Sequence, residues 1–269
     1  MSLPLSPSPR RAGSDAAAAS CLRIVTYNVH SCVGTDRRLD PARIAEVLAG
    51  LRPDVVALQE LDVGRARSGG VDQAMAIAEA IGMASHFHPA LLVQEEKYGD
   101  AILTALPSRL IKAGELPSAG EPRGALWIEL MLGGRPVHVF NTHFGLRRAE
   151  RLRQAQALAG PDWMGAARQA GGAIILAGDF NAIPSSAAYR HLAGALGPVR
   201  GEGGRLLPPT FPSRLPLLRL DHLFVSPEVE VVAAEAVRTP LTRLASDHLP
   251  LLAELRVISG EPLPDRAVD

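Results

Sequence analysis

Short apolar runs recur along this chain from Leu22 to Leu255, each stopped by a polar residue or a turn, with helical stretches between them. Residues 22–29 read as a buried strand, 54–58 as a second one after Pro53, and 173–176 as another. Residues 101–106, 125–132 and 136–141 have strand character, and Gly133-Gly134 is a hairpin turn signal between the last two. Residues 220–225, 229–237 and 249–255 complete the strand set. Asp40 followed by Pro41 marks a helix start, with the helix running to about Leu51. Residues 72–81 form a second helix that Gly82 ends, residues 146–168 a third with an interruption at Gly160-Pro161, and a short helix follows Pro184. Many strands with interspersed helices predict an α+β fold in which two packed sheets are flanked by helices.

Composition narrows the function. Lys+Arg and Asp+Glu both number 28, so there is no basic excess of the kind that grips a long nucleic-acid duplex. With six Phe, three Tyr and two Trp, base-stacking platforms are scarce, and Trp127 and Trp163 read as packing residues. The two cysteines, Cys21 and Cys32, are too few for a disulfide framework and read as thiols in a reduced, cytoplasmic setting. No run of apolar residues is long enough for a membrane span. Residues 1–20 are rich in Ser, Pro and Ala and lack an apolar signal-peptide core, which predicts a disordered tail. The expected organisation is a catalytic domain over residues 21–257, with tails at 1–20 and 258–269. No obligate protein partner is implied.

The informative residues are the polar groups at which the strands stop: Asn28; Gln59 and Glu60; Asn141 and His143; Asp179 and Asn181; Asp221 and His222; Asp247 and His248. Singly, each is an ordinary cap, turn former or satisfied histidine. Jointly they are the groups that bind hard metals and move protons, placed at the rims of rigid strands. Mg²⁺ takes oxygen ligands and keeps several waters, so one Glu carboxylate and one Asn carbonyl can anchor it. Mn²⁺ suits the same donors. An Asp can orient or deprotonate water, and a His backed by an Asp can be held protonated against phosphoryl oxygens. This inventory predicts metal-dependent hydrolysis of a phosphate ester.

Seven segments, in order, carry a resemblance: Thr26-Tyr27-Asn28-Val29-His30, Val56-Ala57-Leu58-Gln59-Glu60, Tyr98-Gly99-Asp100-Ala101-Ile102-Leu103, Asn141-Thr142-His143-Phe144, Gly178-Asp179-Phe180-Asn181, Leu220-Asp221-His222-Leu223-Phe224-Val225 and Ser246-Asp247-His248-Leu249-Pro250. Through them the chain resembles the endonuclease/exonuclease/phosphatase superfamily over roughly residues 22–256. The resemblance implies a four-layered α/β/β/α sandwich of two mixed sheets. It implies that Asn28 and Glu60 sit at the metal, with Asp247 as a candidate further ligand. It implies that Asp179 activates or orients water and that Asn181 positions the water or the phosphate. His248, its ring held by Asp221, would contact the scissile phosphate, and His143 would donate to the phosphate or leaving group. Asp179 and His248 are both candidates for the general base.

Asn-Thr-His at residues 141–143 is the pattern of the deoxyribonuclease, sphingomyelinase and deadenylase-like branches. His30 stands where enzymes that cut abasic DNA usually carry Asp, and both features count against abasic-site repair. His30 is either a substrate contact or a hydrogen-bonded residue beside the site. The segments at residues 62–73 and 121–125 look like a bacterial subgroup related to sphingomyelinase-like and lipid-remodelling members. Arg65 and Arg123 within them are either substrate contacts or loop-stabilising ion pairs. The leading expectation is a phosphodiesterase for a small or lipid-like substrate, with the phospholipid headgroup, small diester and nucleic acid all open as ligands. A DNA or RNA nuclease is the alternative, and a catalytically silent binding module is disfavoured because Glu60, Asp179, Asn181 and His248 are all present.

Overall fold

The computed structural model describes residues 21–93 and 96–258. Of the tails expected at residues 1–20 and 258–269, Ile258 alone lies within the described residues, where its N–H donates to the Glu228 carbonyl. Strands β1 (Cys21–Asn28), β2 (Val55–Val63), β3 (Ala84–Val93), β4 (Glu96–Thr104), β11 (Val229–Ala236) and β12 (Leu251–Val257) build one sheet in the order β11-β12-β1-β2-β4-β3. Strands β5 (Ser108–Leu116), β6 (Arg123–Leu132), β7 (Arg135–His143), β8 (Ala173–Asp179), β9 (Gly197–Pro198) and β10 (Asp221–Val225) build the other, in the order β5-β6-β7-β8-β10-β9. Each sheet is mixed, with one parallel pair at its centre: β1 with β2, and β7 with β8.

The apolar runs are continuous because both faces of the central strands are covered. In β1, Leu22 and Ile24 face the other sheet and pack with Val55, Leu126, Val139 and Ile175. The alternate residues Val25 and Tyr27 pack outward on helices α1 (Pro41–Leu51) and α2 (Gln73–Ile81) through Ile44, Leu48 and Ile77. On the second sheet, Phe140, Leu176 and Phe224 pack outward on α3 (Arg148–Ala159), α4 (Ala166–Ala170) and α5 (Ala187–Ala195). A six-residue helix, α6 (Pro240–Ala245), precedes β12. The result is the four-layered sandwich that the motifs imply. Among the described residues, no helix is long and apolar enough to cross a membrane.

The helix signals act as expected. The Asp40 side chain accepts from Arg43 N with Pro41 in the first turn, and the Asp72 side chain accepts from Met75 N. The third helix is broken where Pro161 lacks an amide hydrogen. Residues Pro161–Gly165 form a π turn between α3 and α4. Trp127 and Trp163 are buried in the outer layer, as expected. Four elements escape the sequence reading, the two-residue strand β9 among them. β3 and β5 are edge strands of partly exposed, charged or histidine-bearing residues, and α6 is short and announced only by the Thr239–Thr242 capping pair.

Two local features aim the site. β2 pairs Leu58 with Ala101 and Leu61 with Gly99, so Gln59 and Glu60 together oppose Asp100 in a bulge, and Glu60 sits at φ +63. In β8, Gly178 pairs with Thr142 of β7 at φ +152, where a Cβ would lie 2.1 Å from the Thr142 carbonyl oxygen. Only glycine fits there. Gly178→Ala should therefore lower unfolding free energy by roughly 3 kcal/mol or more, from steric overlap and backbone strain together. Urea denaturation checks this, and a loss below about 1 kcal/mol would show that β8 can shift freely.

Candidate active site

The parallel centres of the two sheets point their strand ends to one mouth. Asn28 closes β1, Glu60 stands in the β2 bulge, His143 closes β7 and Asp179 closes β8. Asp221 opens β10, and Asp247-His248 lead into β12. Directly beneath, buried amides join the sheets. Gln59 Nε2 donates to Asn141 Oδ1 at 2.7 Å, and Asn141 Nδ2 donates to the Leu58 and Ala101 carbonyls at 2.8 Å each. Gln59 and Asn141, expected at the strand rims, thus serve as a cross-sheet clasp. One level up, Asn28 Nδ2 donates to Glu60 Oε1 and Asp179 Oδ2, both at 2.9 Å, tying carboxylates from opposite sheets together.

His248 lies between two carboxylates. Its Nδ1 is 2.8 Å from Asp221 Oδ2, and its Nε2 is 3.7 Å from Asp179 Oδ2. Burial alone pushes the imidazole down, but Asp221 and then Asp179 outweigh it and raise the ring to about 10. Burial pushes the Asp221 carboxyl up against the lowering effect of the His248 charge, and its Oδ2, facing both His248 Nδ1 and Thr210 Oγ1, is the oxygen that meets the ring. Burial works against the Asp179 charge, yet His248, His143 and the Asn181 amide hold its carboxyl below the ordinary value. Asp179, Asp221 and His248 are close enough together to suggest a metal cluster. A ring protonated on both nitrogens makes this trio an ion-pair relay, while the deprotonated ring would offer Nε2 as a ligand atom.

His143 faces the relay from β7, its Nε2 3.6 Å from Asp179 Oδ2. Arg123 NH1 lies 2.9 Å from His143 Nδ1. A guanidinium can only donate, which makes Nδ1 an acceptor; a neutral ring then carries its proton on Nε2, where it competes with the Asn181 Nδ2 donor 3.0 Å away. Burial, reinforced by the Arg123 charge, pushes this ring down, so it is a neutral donor. Asn181, at φ +48, donates through Nδ2 to the Phe144 carbonyl at 2.9 Å and sits 3.0 Å from His143 Nε2. Such backbone strain in a functional loop holds a side chain where sterics alone would not put it.

The donors expected at the metal converge on His30. Its Nδ1 lies 3.6 Å from Glu60 Oε2 and 3.7 Å from Asp247 Oδ2, and its N–H donates to Asn28 Oδ1 at 3.0 Å. Burial tends to raise the Glu60 carboxyl, but His30, His143 and Asn28 together hold it well below the usual carboxylate range. Asp247 is pushed up, chiefly by burial and further by the Glu60 charge. Two carboxylates and an amide oxygen around His30 are a hard-oxygen donor set, and they fit Mg²⁺ or Mn²⁺.

A cavity of about 260 Å³ opens beside Glu60 and His30, lined in part by Arg65, Arg67 and Tyr98. A larger one of about 800 Å³, near β11 and Arg200, is lined by none of these groups. Among the described residues the Arg65 side chain makes long contacts, 3.5 Å to Glu96 and 3.9 Å to Asp62, and its buried Nε has no hydrogen-bond partner there. Both readings of Arg65 thus have a basis, as an ion-pair residue and as a donor into the cavity. Arg123 is buried against His143 and 3.1 Å from Glu121.

Sequence reasoning missed two groups. Arg67 clamps buried Asp62 through two hydrogen bonds of 2.7 and 2.6 Å and covers the Tyr98 ring, fixing the loop beside Glu60. Asp100, opposite the bulge, is buried and pushed up to about 7 by burial. Its signal was present in the Tyr98-Gly99-Asp100 segment, but the acid alone did not reveal that it faced Glu60. His222, next to Asp221, belongs to the opposite face of β10 and packs on Phe180, Tyr189 and Phe224.

The Endonuclease/Exonuclease/phosphatase family model matches residues 25–248. The uncharacterized protein YbhP of Escherichia coli is 30% identical over 167 residues, 61% of this chain and 64% of its own length. The match thus spans less than two thirds of that relative. The crystal structure of an endonuclease/exonuclease/phosphatase from Beutenbergia cavernae superposes with a TM-score of 0.71 at 22% identity, covering 88% of this chain and 72% of that one. The human Nocturnin catalytic domain with bound sulfate anion gives 0.71 at 21% identity, covering 89% and 95%. This chain belongs to the endonuclease/exonuclease/phosphatase family, a family of hydrolytic phosphoesterases.

The His222 ring, hydrogen-bonded at 2.7 Å to the Ala182 carbonyl, is pushed down by burial from 6.5 to about 4. Between those values the unfolded chain binds a proton that the native ring refuses. Its contribution to stability is therefore full above pH 6.5 and lost as the pH falls towards about 4. Urea titrations across this range should show a shallower acid loss for His222→Gln than for wild type. Parallel curves would mean that other groups dominate.

Proposed function

We propose that this family member is a divalent-metal-dependent phosphodiesterase acting on a phosphate ester with a small or lipid-like substituent. The observation that carries the reading is the Asn28 amide joining Glu60 to Asp179, with Asp179 facing a protonated His248. Asp179, anionic and fixed by Asn28, orients the attacking water and accepts its proton. His248 already holds protons on both nitrogens, so it serves as a donor to a phosphoryl oxygen, and Asp221 keeps it charged. This favours Asp179 over His248 as general base.

His143 presents Nε2–H to the phosphate or leaving group, with Arg123 fixing the tautomer from behind. Asn181 positions the water or phosphate from its strained turn. Glu60, Asp247 and Asn28 would hold Mg²⁺ or Mn²⁺, with His30 beside them. When bound, the cation supplies Lewis-acid charge stabilisation at the phosphate. Arg65 offers donors to the substituent in the adjoining cavity.

Hydrolysis of bis-p-nitrophenyl phosphate with Mg²⁺, with Mn²⁺ and with EDTA tests the reading. Metal-dependent release is expected. Glu60→Ala, Asp179→Ala and His248→Ala should each lower turnover by about 10² or more while the fold survives. Wild-type rates in all three variants would remove this mechanism.

A further inference from the structure

The loops that frame the catalytic mouth expose aliphatic side chains on two opposing walls. On one wall Leu146, 73% exposed, follows three residues after His143, and Ile183, 43% exposed, two after Asn181. On the other, a tight turn presents Leu215 and Leu217, 64% and 68% exposed. That turn is pinned to the site. Phe211 packs its ring 4.8 Å from His248, Ser213 N donates to the Asp247 carbonyl, and Leu217 N donates to the Phe211 carbonyl.

Arginines stand between the apolar tips. Arg147 and Arg148 are exposed at the start of α3 and make no ion pair among the described residues. They occupy the end of a helix where the macrodipole disfavours cations, so nothing in the helix itself accounts for them. Across the mouth, Arg214 donates to the Thr35 carbonyl and Arg243 to the Arg214 carbonyl. Neither makes an ion pair with a carboxylate among the described residues. Exposed Glu121 is paired with Arg123.

We propose that this rim docks the enzyme on an anionic phospholipid surface, with the aliphatic tips entering the headgroup layer and the arginines meeting its charge. This inference rests on the phosphodiesterase reading and narrows its substrate class to lipids presented in a membrane. Apolar side chains inserted among basic ones are the pattern of interfacial binding. Single-stranded nucleic acid would instead be met by stacked aromatic rings, and every described Phe, Tyr and Trp is buried or partly buried. Apolar tips on two walls, parted by the catalytic opening, suit a deformable surface.

The test is co-sedimentation of the full chain with vesicles of phosphatidylcholine alone and of phosphatidylcholine mixed with phosphatidylglycerol. Wild type and Asp179→Ala should both partition onto the mixed vesicles and hardly onto phosphatidylcholine. The doubles L215S/L217S and R147E/R148E should each lower that partition by about tenfold. Both should hydrolyse soluble bis-p-nitrophenyl phosphate as wild type does and keep its circular dichroism melting curve. Because Asp179→Ala reports docking without turnover, failure to dock and failure of the hydrolase reading appear in separate assays. Absence of vesicle partition, partition that both doubles retain, or retention by single-stranded DNA in place of vesicles would overturn the proposal.

Discussion

The site depends on one constraint: carboxylates from two different sheets must be held a few ångströms apart at the edge of a dry core. The Asn28 amide does this directly, donating to Glu60 on its own sheet and to Asp179 on the other. Without a donor between them, two buried carboxylates would repel and one would take up a proton. The amide clasp of Gln59 and Asn141 beneath fixes the spacing of the sheets and leaves Asn28 no room to drift. Buried networks of this kind rigidify when their members are paired, and here rigidity is what a preorganised site requires.

From that arrangement the electrostatics follow. Four acids and three histidines meet at one mouth, and their environments divide the roles among them. His248 sits between Asp221 and Asp179 and stays charged, whereas His143, backed by Arg123, stays neutral. The two rings are the same residue type at the same mouth, and only their partners tell them apart. Glu60, turned by a bulge and a left-handed backbone, faces His30 and Asp247 and not the relay. The cation-binding side and the proton-handling side are thus neighbours joined through Asn28.

The outer rim follows a different logic from the interior. Inside, the clasp and the relay are joined by hydrogen bonds, with Gln59 Oε1 and Asp221 Oδ1 left without a partner among the described residues. Outside, Leu146, Leu217, Arg147 and Arg148 are left to solvent around the opening, on loops that the rigid strands hold in place. Phe211 and Ser213 connect the two regions, since the turn that carries the exposed leucines also packs on His248 and Asp247.

The sequence by itself determined the central strands, because apolar residues covered on both faces leave a continuous signal, as in β1, β2 and β8. It also determined which residues stop those strands, and hence the chemical inventory of Asn28, Glu60, His143, Asp179, Asp221 and His248. The edge strands β3 and β5 were not legible, since half-exposed strands have no clean alternation, and α6 was too short to leave a periodic trace. Tertiary structure alone decided the roles. Gln59 clasps the sheets while Glu60, its neighbour, enters the site, because a bulge turns one of them aside. Arg67 is bound to Asp62 while Arg65 keeps donors to spend. Asp100 opposes that bulge, and His222 and Asp221 part to opposite faces of one strand. Proton affinity and partner choice come from atoms distant along the chain but adjacent in space, and no local pattern encodes such distances.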